Sequence, residues 1–557
     1  MEFGIDLGTT QSCIAYVDES GSPVIIKSAL GEDTTPSAVF FESGQNVVVG
    51  RAAREEALIA PHLVAQLVKR DMGTNAAYEF HGERHTPETV SALILRELAR
   101  LAAQQTSQEV RDVVITVPAY FGIAERAATR RAGELAGLEV LDVLPEPVAA
   151  AVHYQATHVP AGEPKHALVY DLGGGTFDTT VIRLAGDDTI AVCTEGDARL
   201  GGADWDQAIA GYLLSRVSAA HPELRPEQDP QFMQDLRISA ERLKKELSSV
   251  QTRRHMMRLD GTTTVVELSR RDVEDLTAGL LDRTVTVVDR AIAAARAKGV
   301  TRFDDVLLVG GMSRFPAVAQ ALKGRLGVDA RLHEPELAVA KGAALFARSR
   351  RARPAASSGA SAAPSGASAA PSGASATPSG VSADPSAASA TPAPEIRRLA
   401  AAKVSAVVPR AFGVKAVDGR DPLALSDPLH ARQMILHLLP ANTPLPDDTG
   451  PYTFATAVEG QRTLGIEVWE QAGPDESEDL ADNRKVGEGL LRNLPARLPA
   501  GTPFEITFFM SETGLLTVHA REPRSAREVR FDLQIGGVDS ARFEQAQRSV
   551  ASYQVRG

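Results

Sequence analysis

The chain has 557 residues, enough for three to four compact units at roughly 150 residues each. Hydrophobic residues make up 43% and charged residues 23%, an ordinary globular balance, and 59 basic against 71 acidic residues leave −12, which argues against a nucleic-acid binder held by phosphate neutralisation. Two cysteines, Cys13 and Cys193, exclude a disulfide framework or zinc cluster; with no basic-apolar leader and no run of about 18 apolar residues, the expected setting is cytoplasmic, with no membrane partner.

In chain order, the first 350 residues alternate strand-like and helix-like pieces. FGIDLG (3–8), CIAYVD (13–18), DVVITVP (112–118), ALVYDLG (167–173) and DVLLVGG (305–311) read as strands. PETVSALILRELARLAAQQ (87–105) and LTAGLLDRTVTVVDRAIAAARAKG (276–299) read as helices, so the block predicts α/β architecture with helices covering sheets. From about Arg353 to Pro394 the composition changes to Ala, Ser, Pro, Gly and Thr, with a sevenfold period that repeats Pro364 at Pro371, Pro378, Pro385 and Pro392. A helix breaker in every unit and no bulky a/d pair exclude a coiled coil; the segment predicts a disordered tether, roughly 35 Å end to end as a coil. Beyond it come MILHLLP (434–440), YTFATAVEG (452–460), TLGIEVWEQ (463–471), FEITFFMS (504–511), LLTVHARE (515–522) and EVRFDLQI (528–535). Short β segments at this spacing predict an antiparallel sandwich. The expected division is therefore 1–350, two-lobed α/β; 351–398, tether; 399–537, all-β sandwich; and 538–557, a short helix or tail.

Two stretches of the first block echo each other. FGIDLGTTQSCIAYVDESG begins at Phe3 and LVYDLGGGTFDTTVIRLAGD at Leu168; each is a strand, then Asp-Leu-Gly, then a second strand. Glycine in such a bend lets main-chain N–H groups approach an anion, and threonine hydroxyls can donate to phosphate oxygens. Asp6 and Asp171, at matching places, suit a hydrated magnesium ion between them. One such hairpin is ordinarily just a turn. Two with the same layout predict duplicated lobes facing across a phosphate clamp.

No P-loop, strand-borne G-x-G-x-x-G, HExxH, CxxC or G-x-S-x-G occurs, so a bound nucleotide must lie between lobes. VLLVGGMSRFP (306–316) ends a strand in Gly310-Gly311, either a plain tight turn or a place of close ligand approach. On the helix around SAERLKKELSS (239–249), Leu236, Ala240, Leu243 and Leu247 form an apolar stripe. Glu241, Lys244, Lys245 and Ser248 share the adjoining face, which reads equally well as a solvated face with a Glu241–Lys245 pair.

Together these stretches resemble the seventy-kilodalton heat-shock chaperone family. The resemblance rests on GIDLGTTQSCIA (4–15), VVITVPAYF (113–121), GLEVLDVLPEPVAAAVHY (137–154), VYDLGGGTFD (169–178), RLGGADWD (199–206), ERLKKELSS (241–249), VLLVGGMSRFP (306–316) and AVAKGAALFA (338–347). It implies an actin-like ATPase of two lobes with ATP and magnesium in the cleft, potassium being a further candidate ion. By resemblance, Gly8, Thr9, Thr10, Gly174, Gly175, Thr176, Gly201 and Gly202 would lie along the phosphates. Asp6 and Asp171 would surround the metal, Glu146 and Asp178 would order water or ions, and Glu241, Lys244, Ser248, Gly310, Gly311 and Arg314 would hold the nucleoside. Lys69 would point at the γ-phosphate and the attacking water, so Lys69, Glu146, Asp171, Thr176 and Asp178 are the expected catalytic set.

The resemblance continues into VVPRAFGVKAVDG (407–419), YTFATAVEGQRTLGIEVWE (452–470), ADNRKVGEGLLRNLP (481–495) and FEITFFMSETGLLTVHARE (504–522), similar to the family's peptide-binding β domain. By position Val414, Ala416, Val417, Phe454, Ala457, Thr463, Leu464 and Ile466 would lie near a bound peptide; the alternative for each is sandwich core. Implied partners are unfolded or extended polypeptides, a J-domain co-chaperone and a nucleotide exchange factor. Three departures stand out. Only 20 residues follow Gly537 where the family has a helical lid, the segment between Lys69 and Pro87 is shortened, and the leucine-rich linker is replaced by the tether and KVSAVVP (403–409). Val404, Val407 and Val408 are the residues through which that linker would still dock as an edge strand. The leading expectation is a lidless ATP-dependent chaperone; the others are a nucleotide-switched module for one dedicated partner, a small-molecule kinase and a filament.

Overall fold

Two sheets of the same winding organise the first 352 residues. In the first, Phe3–Asp6 runs parallel to Asp112–Val117, itself parallel to Glu139–Pro145, and antiparallel to Gln11–Val17, beyond which lies Pro23–Ile25. In the second, Lys165–Leu172 holds the equivalent place: parallel to Asp305–Val309 and, through it, Ala330–Leu332, and antiparallel to Phe177–Ala185, then Asp188–Asp197. Near-continuous apolar residues bury both central strands on both faces. Helices Glu146–His158 and Ala338–Ala352 pack on each other between the sheets. A Cβ on Gly342 would meet the Ala149 carbonyl oxygen at 1.8 Å, so that crossing requires glycine. The doubled winding puts both Asp-Leu-Gly bends at strand carboxyl ends, on one side of the molecule.

This computed structural model describes residues 1–159, 163–352, 403–533 and 540–557. Of the expected tether, Arg351 and Ala352 instead close a helix, and residues 353–398 lie outside the described residues, as do 399–402 and 534–539. Among the described residues no helix is long and apolar enough to cross a membrane.

The C-terminal block is two four-stranded antiparallel sheets. One is ordered Gln433–Leu439, Phe412–Val417, Leu464–Gln471, Asn483–Leu491; the other Asp447–Ala455, Pro503–Met510, Leu516–Glu522, Arg527–Leu533. Asn483–Leu491 has no apolar alternation because Gly487 and Gly489 face Leu533 and Phe531, whose side chains fill the space a Cβ would take.

Two segments return to the first block. Val404–Ser405 extends the second sheet in parallel, pairing Thr189 with Val404 and Ile190 with Ser405; Val407 is buried among residues of the crossing helices and Val408 in the sandwich core. Residues 540–557 are a helix, Ser540–Ser552, and a strand, Gln554–Arg556, packed on the first lobe.

Candidate active site

A cavity of about 510 Å³ lies between the lobes. Asp6 ends one central strand and Asp171 is the next-to-last residue of the other, while Gly8, Thr9, Thr10, Gly174 and Thr176 line the cavity from the two bends. A Cβ on Gly174 would sit 2.2 Å from Thr10 Oγ1, so the bends approach this closely only with glycine there. Lys69 enters from the short helical turn Val68–Asp71 and pairs with Glu146, the first residue of a crossing helix; both are buried. Thr116 donates its hydroxyl to Asp6 Oδ1 at 3.3 Å.

The far wall carries Gly202, Glu241, Lys244, Ser248, Gly310, Gly311 and Arg314. The apolar stripe of helix Pro230–Leu247 is buried in the second lobe, which turns Glu241 and Lys244 toward the cleft. Lys244 Nζ donates to the Gly202 carbonyl at 2.8 Å and pairs with Asp206 at 2.7 Å. Arg54 from the outer part of the first lobe pairs with Glu241 across the opening.

Three expected residues lie behind the wall. Gly201 packs on the second bend, where a Cβ would meet Gly175 N at 2.5 Å, and Gly175 backs onto Thr9. Asp178 faces Asp171 across the hairpin and accepts from Tyr120 N at 2.9 Å through Oδ1. Asp206, Gln11 and Glu336 line the cavity and Arg70 braces it, bonding the Gly175 carbonyl at 3.0 Å and Asp204 at 2.5 Å. These are single polar residues with no periodic or turn signature, although Asp206 sits inside the RLGGADWD stretch.

The cleft is short of positive charge. Burial, reinforced by the Glu146 charge and opposed by Lys69, pushes Asp6 up to about 7; burial and Glu146 likewise bring Asp178 to about 7, and Asp171 is raised well above the usual carboxylate range. Thr9 Oγ1 and Asp178 Oδ2 are buried without a hydrogen-bond partner. Excess buried carboxylate with unpaired oxygens favours uptake of a cation, and oxygen donors alone suit magnesium. Asp6 and Asp171, both lining the cavity, offer carboxylate oxygens that fit a magnesium ion.

In the sandwich the expected peptide contacts separate. Val414, Leu464 and Ile466 point into the core rather than forming the wall of an open cleft, because they interdigitate with the facing sheet; Phe454 packs on that core, its ring stacked on Phe504 at 5.8 Å. Ala457 and Thr463 are exposed, and Ala416 and Val417 are half-buried toward the end of their strand.

The sandwich meets the first lobe at the start of helix Ile123–Leu135. Glu470, fully buried, accepts from Ile123 N at 3.0 Å and pairs with Arg484 at 2.6 Å; Arg484 also holds Glu125 at 3.1 Å. Arg410 lies 3.9 Å from both carboxylates with its guanidinium over the Tyr120 ring, whose hydroxyl donates to the Gly473 carbonyl at 3.0 Å. Since Tyr120 N also bonds Asp178, one residue touches both the back of the cleft and the sandwich.

Residues 2–352, which hold both lobes and every residue of the cleft, match the family model described as Hsp70 protein. The chain belongs to the Hsp70 family, whose nucleotide-binding domain has the actin-like two-lobed fold.

Proposed function

We propose that the chain is an ATP-driven chaperone that binds and slowly hydrolyses ATP with magnesium in the interlobe cleft, and holds extended apolar segments in its β sandwich. Family members are ATPases that bind ATP with magnesium, unfolded polypeptides and J-domain co-chaperones. The observation that carries the reading is the surplus of buried carboxylate around Lys69 where the paired bends meet.

Each group has a task in this scheme. Main-chain N–H groups and hydroxyls of Gly8, Thr9, Thr10, Gly174 and Thr176 orient the phosphates, and Glu241, Lys244, Ser248, Gly310, Gly311 and Arg314 hold the nucleoside. Asp6 and Asp171 hold magnesium, which supplies neutralisation of phosphate oxygens, with potassium a second candidate ion. Glu146 fixes Lys69, so its ammonium meets the developing charge already positioned, and Glu146, backed by Asp178 behind the wall, orders the attacking water. Water would be activated by carboxylates alone in this set, in keeping with a slow turnover that times peptide release.

Coupling to the sandwich would run through Tyr120 and the docked Val404–Ser405 strand. No part of the helix Ser540–Ser552 need cover the peptide site, since Phe543, Ala546 and Val550 are engaged on the first lobe. A nucleotide exchange factor completes the proposed cycle. A second reading, a module for one dedicated partner, draws support from the burial of Val414, Leu464 and Ile466 in the core. A peptide array separates them: broad binding to aliphatic-rich peptides favours the chaperone, a single ligand the module.

The experiment for the primary reading is calorimetry with ATP and magnesium, paired with turnover of Lys69→Ala. We expect the wild-type chain to bind, and the variant to bind while losing turnover. Absence of nucleotide binding by the wild type would overturn the reading; unchanged turnover in the variant would remove Lys69 from the mechanism.

A further inference from the structure

Residues 540–557 pack on the first lobe rather than on the sandwich. Val550 and Tyr553 are buried in the core of the first lobe, and Phe543, Ala546 and Val555 pack on it, a stripe at helical spacing that continues into a strand. Arg96 donates to the Val550 carbonyl. Tyr553 fills a pocket of Phe41 and His85: its ring stands edge-on to Phe41 at 5.9 Å, and its hydroxyl is 3.3 Å from His85 Nε2. Gln554–Arg556 then pairs in parallel with Asn46–Val49, matching Val555 to Val47, and Gln554 N donates to the Gln45 carbonyl at 2.8 Å. Asn46–Val49 belongs to a small sheet with Ala38–Phe41 and Val64–Gln66, in which it would otherwise be an open edge.

We propose that this edge, with the aromatic pocket beside it, is an acceptor site for an extended segment anchored by one tyrosine, and that residues 540–557 occupy it in the same chain as a strap that keeps the sandwich on the first lobe. Strand addition at an open edge with one pocketed side chain is a recurring way of taking up an extended segment. The reach of the chain gives the strap its effect. Leu533 ends the last sandwich strand and Ser540 begins the helix seven residues on, so a seated strap limits the sandwich end to about 25 Å from its anchor. The sandwich is also held at its start, where Val404–Ser405 pairs with the second sheet, so the strap is a second anchor, placed on the other lobe. A seated strap therefore returns the sandwich to its joint at high effective concentration whenever the Glu470 contacts break.

The site lies apart from the cleft, and its test needs no nucleotide, so its failure and that of the ATPase reading are distinguishable. A protease site is placed between Leu533 and Ser540 of the full chain, with spin labels on Gln104→Cys and Leu425→Cys, both exposed; the native cysteines are buried. Cutting should leave the 540–557 fragment bound through gel filtration, yet raise the long-distance population at least about twofold, the docked Val404–Ser405 strand being the anchor that remains. In the uncut chain Tyr553→Ala should raise it too, while Tyr553→Phe, which keeps the ring, should not. Loss of the fragment on cutting, or an unchanged distance distribution, overturns the strap. A dimeric mass with exchange of the fragment between copies would make a second copy the occupant and overturn it as well.

Discussion

In the cleft, buried Glu146, Asp171 and Asp178 and half-buried Asp6 surround one lysine, Lys69; at the joint with the sandwich, buried Glu470 and half-buried Glu125 face two arginines, Arg410 and Arg484. Burial acts on both sets in the same direction, against the charged form. In the cleft it prevails, and Asp6, Asp171 and Asp178 are all pushed up. At the joint burial also works against Glu125, but the Arg410 charge and the Arg484 pairing outweigh it and hold the carboxyl below its usual range. Charge balance, rather than burial, separates the acids of the cleft from those of the joint. A balanced cluster makes a joint that breaks when one member is removed.

The largest expected effect is therefore at the joint. Glu470→Ala leaves two arginines facing one carboxylate and strips the acceptor from Ile123 N. Removing one partner of a buried pair costs about 3–5 kcal/mol. The single unfolding transition expected of the docked chain should split into two in calorimetry; a single transition at the wild-type temperature would show that the cluster does not hold the domains together. In the cleft the same kind of substitution should do the reverse to stability. Asp171→Asn removes one uncompensated acid, so the nucleotide-free chain should melt at the same or a higher temperature. Its ATP turnover should fall roughly 100-fold or more, the order seen when one preorganised charge-stabilising group is lost. A marked fall in melting temperature would mean that the cleft acids are structural and would break the contrast.

How much of this contrast is legible beforehand depends on the reach of the interactions. The bends around Asp6 and Asp171 are local: glycine, threonine and aspartate follow a strand within four residues, and their repetition in a second place is visible in one chain. Lys69 and Glu146 have no such local signature and enter only through resemblance. Glu470 lies in TLGIEVWEQ, where it reads as an ordinary polar position, because its partner Ile123 is 347 residues away. Val414, Leu464 and Ile466 alternate with polar neighbours whether they line a cleft or fill a core, so their inward packing is decided by the facing sheet. The strand Gln554–Arg556 is three residues long and pairs near the other end of the chain, so no periodicity could announce it.

The smallest expected effect is that of pH on the joint, and its direction follows from Glu125. A carboxyl held below its ordinary value by Arg410 and Arg484 stabilises the docked arrangement at every pH above its unperturbed value of 4.5, where it is ionised whether docked or free. That contribution is lost only as pH falls further, through the depressed value of the docked state. Between pH 8 and pH 6 the Gln104–Leu425 label distance should therefore stay constant, and it should lengthen only below about 4.5. Were the acids of the joint unbalanced like those of the cleft, they would be pushed up toward neutrality, and docking would weaken as pH rose through that range. A flat profile keeps the joint in the balanced class, whereas loosening between pH 6 and pH 8 would place Glu125 with Asp6 and Asp178 and remove the distinction on which both substitutions rest.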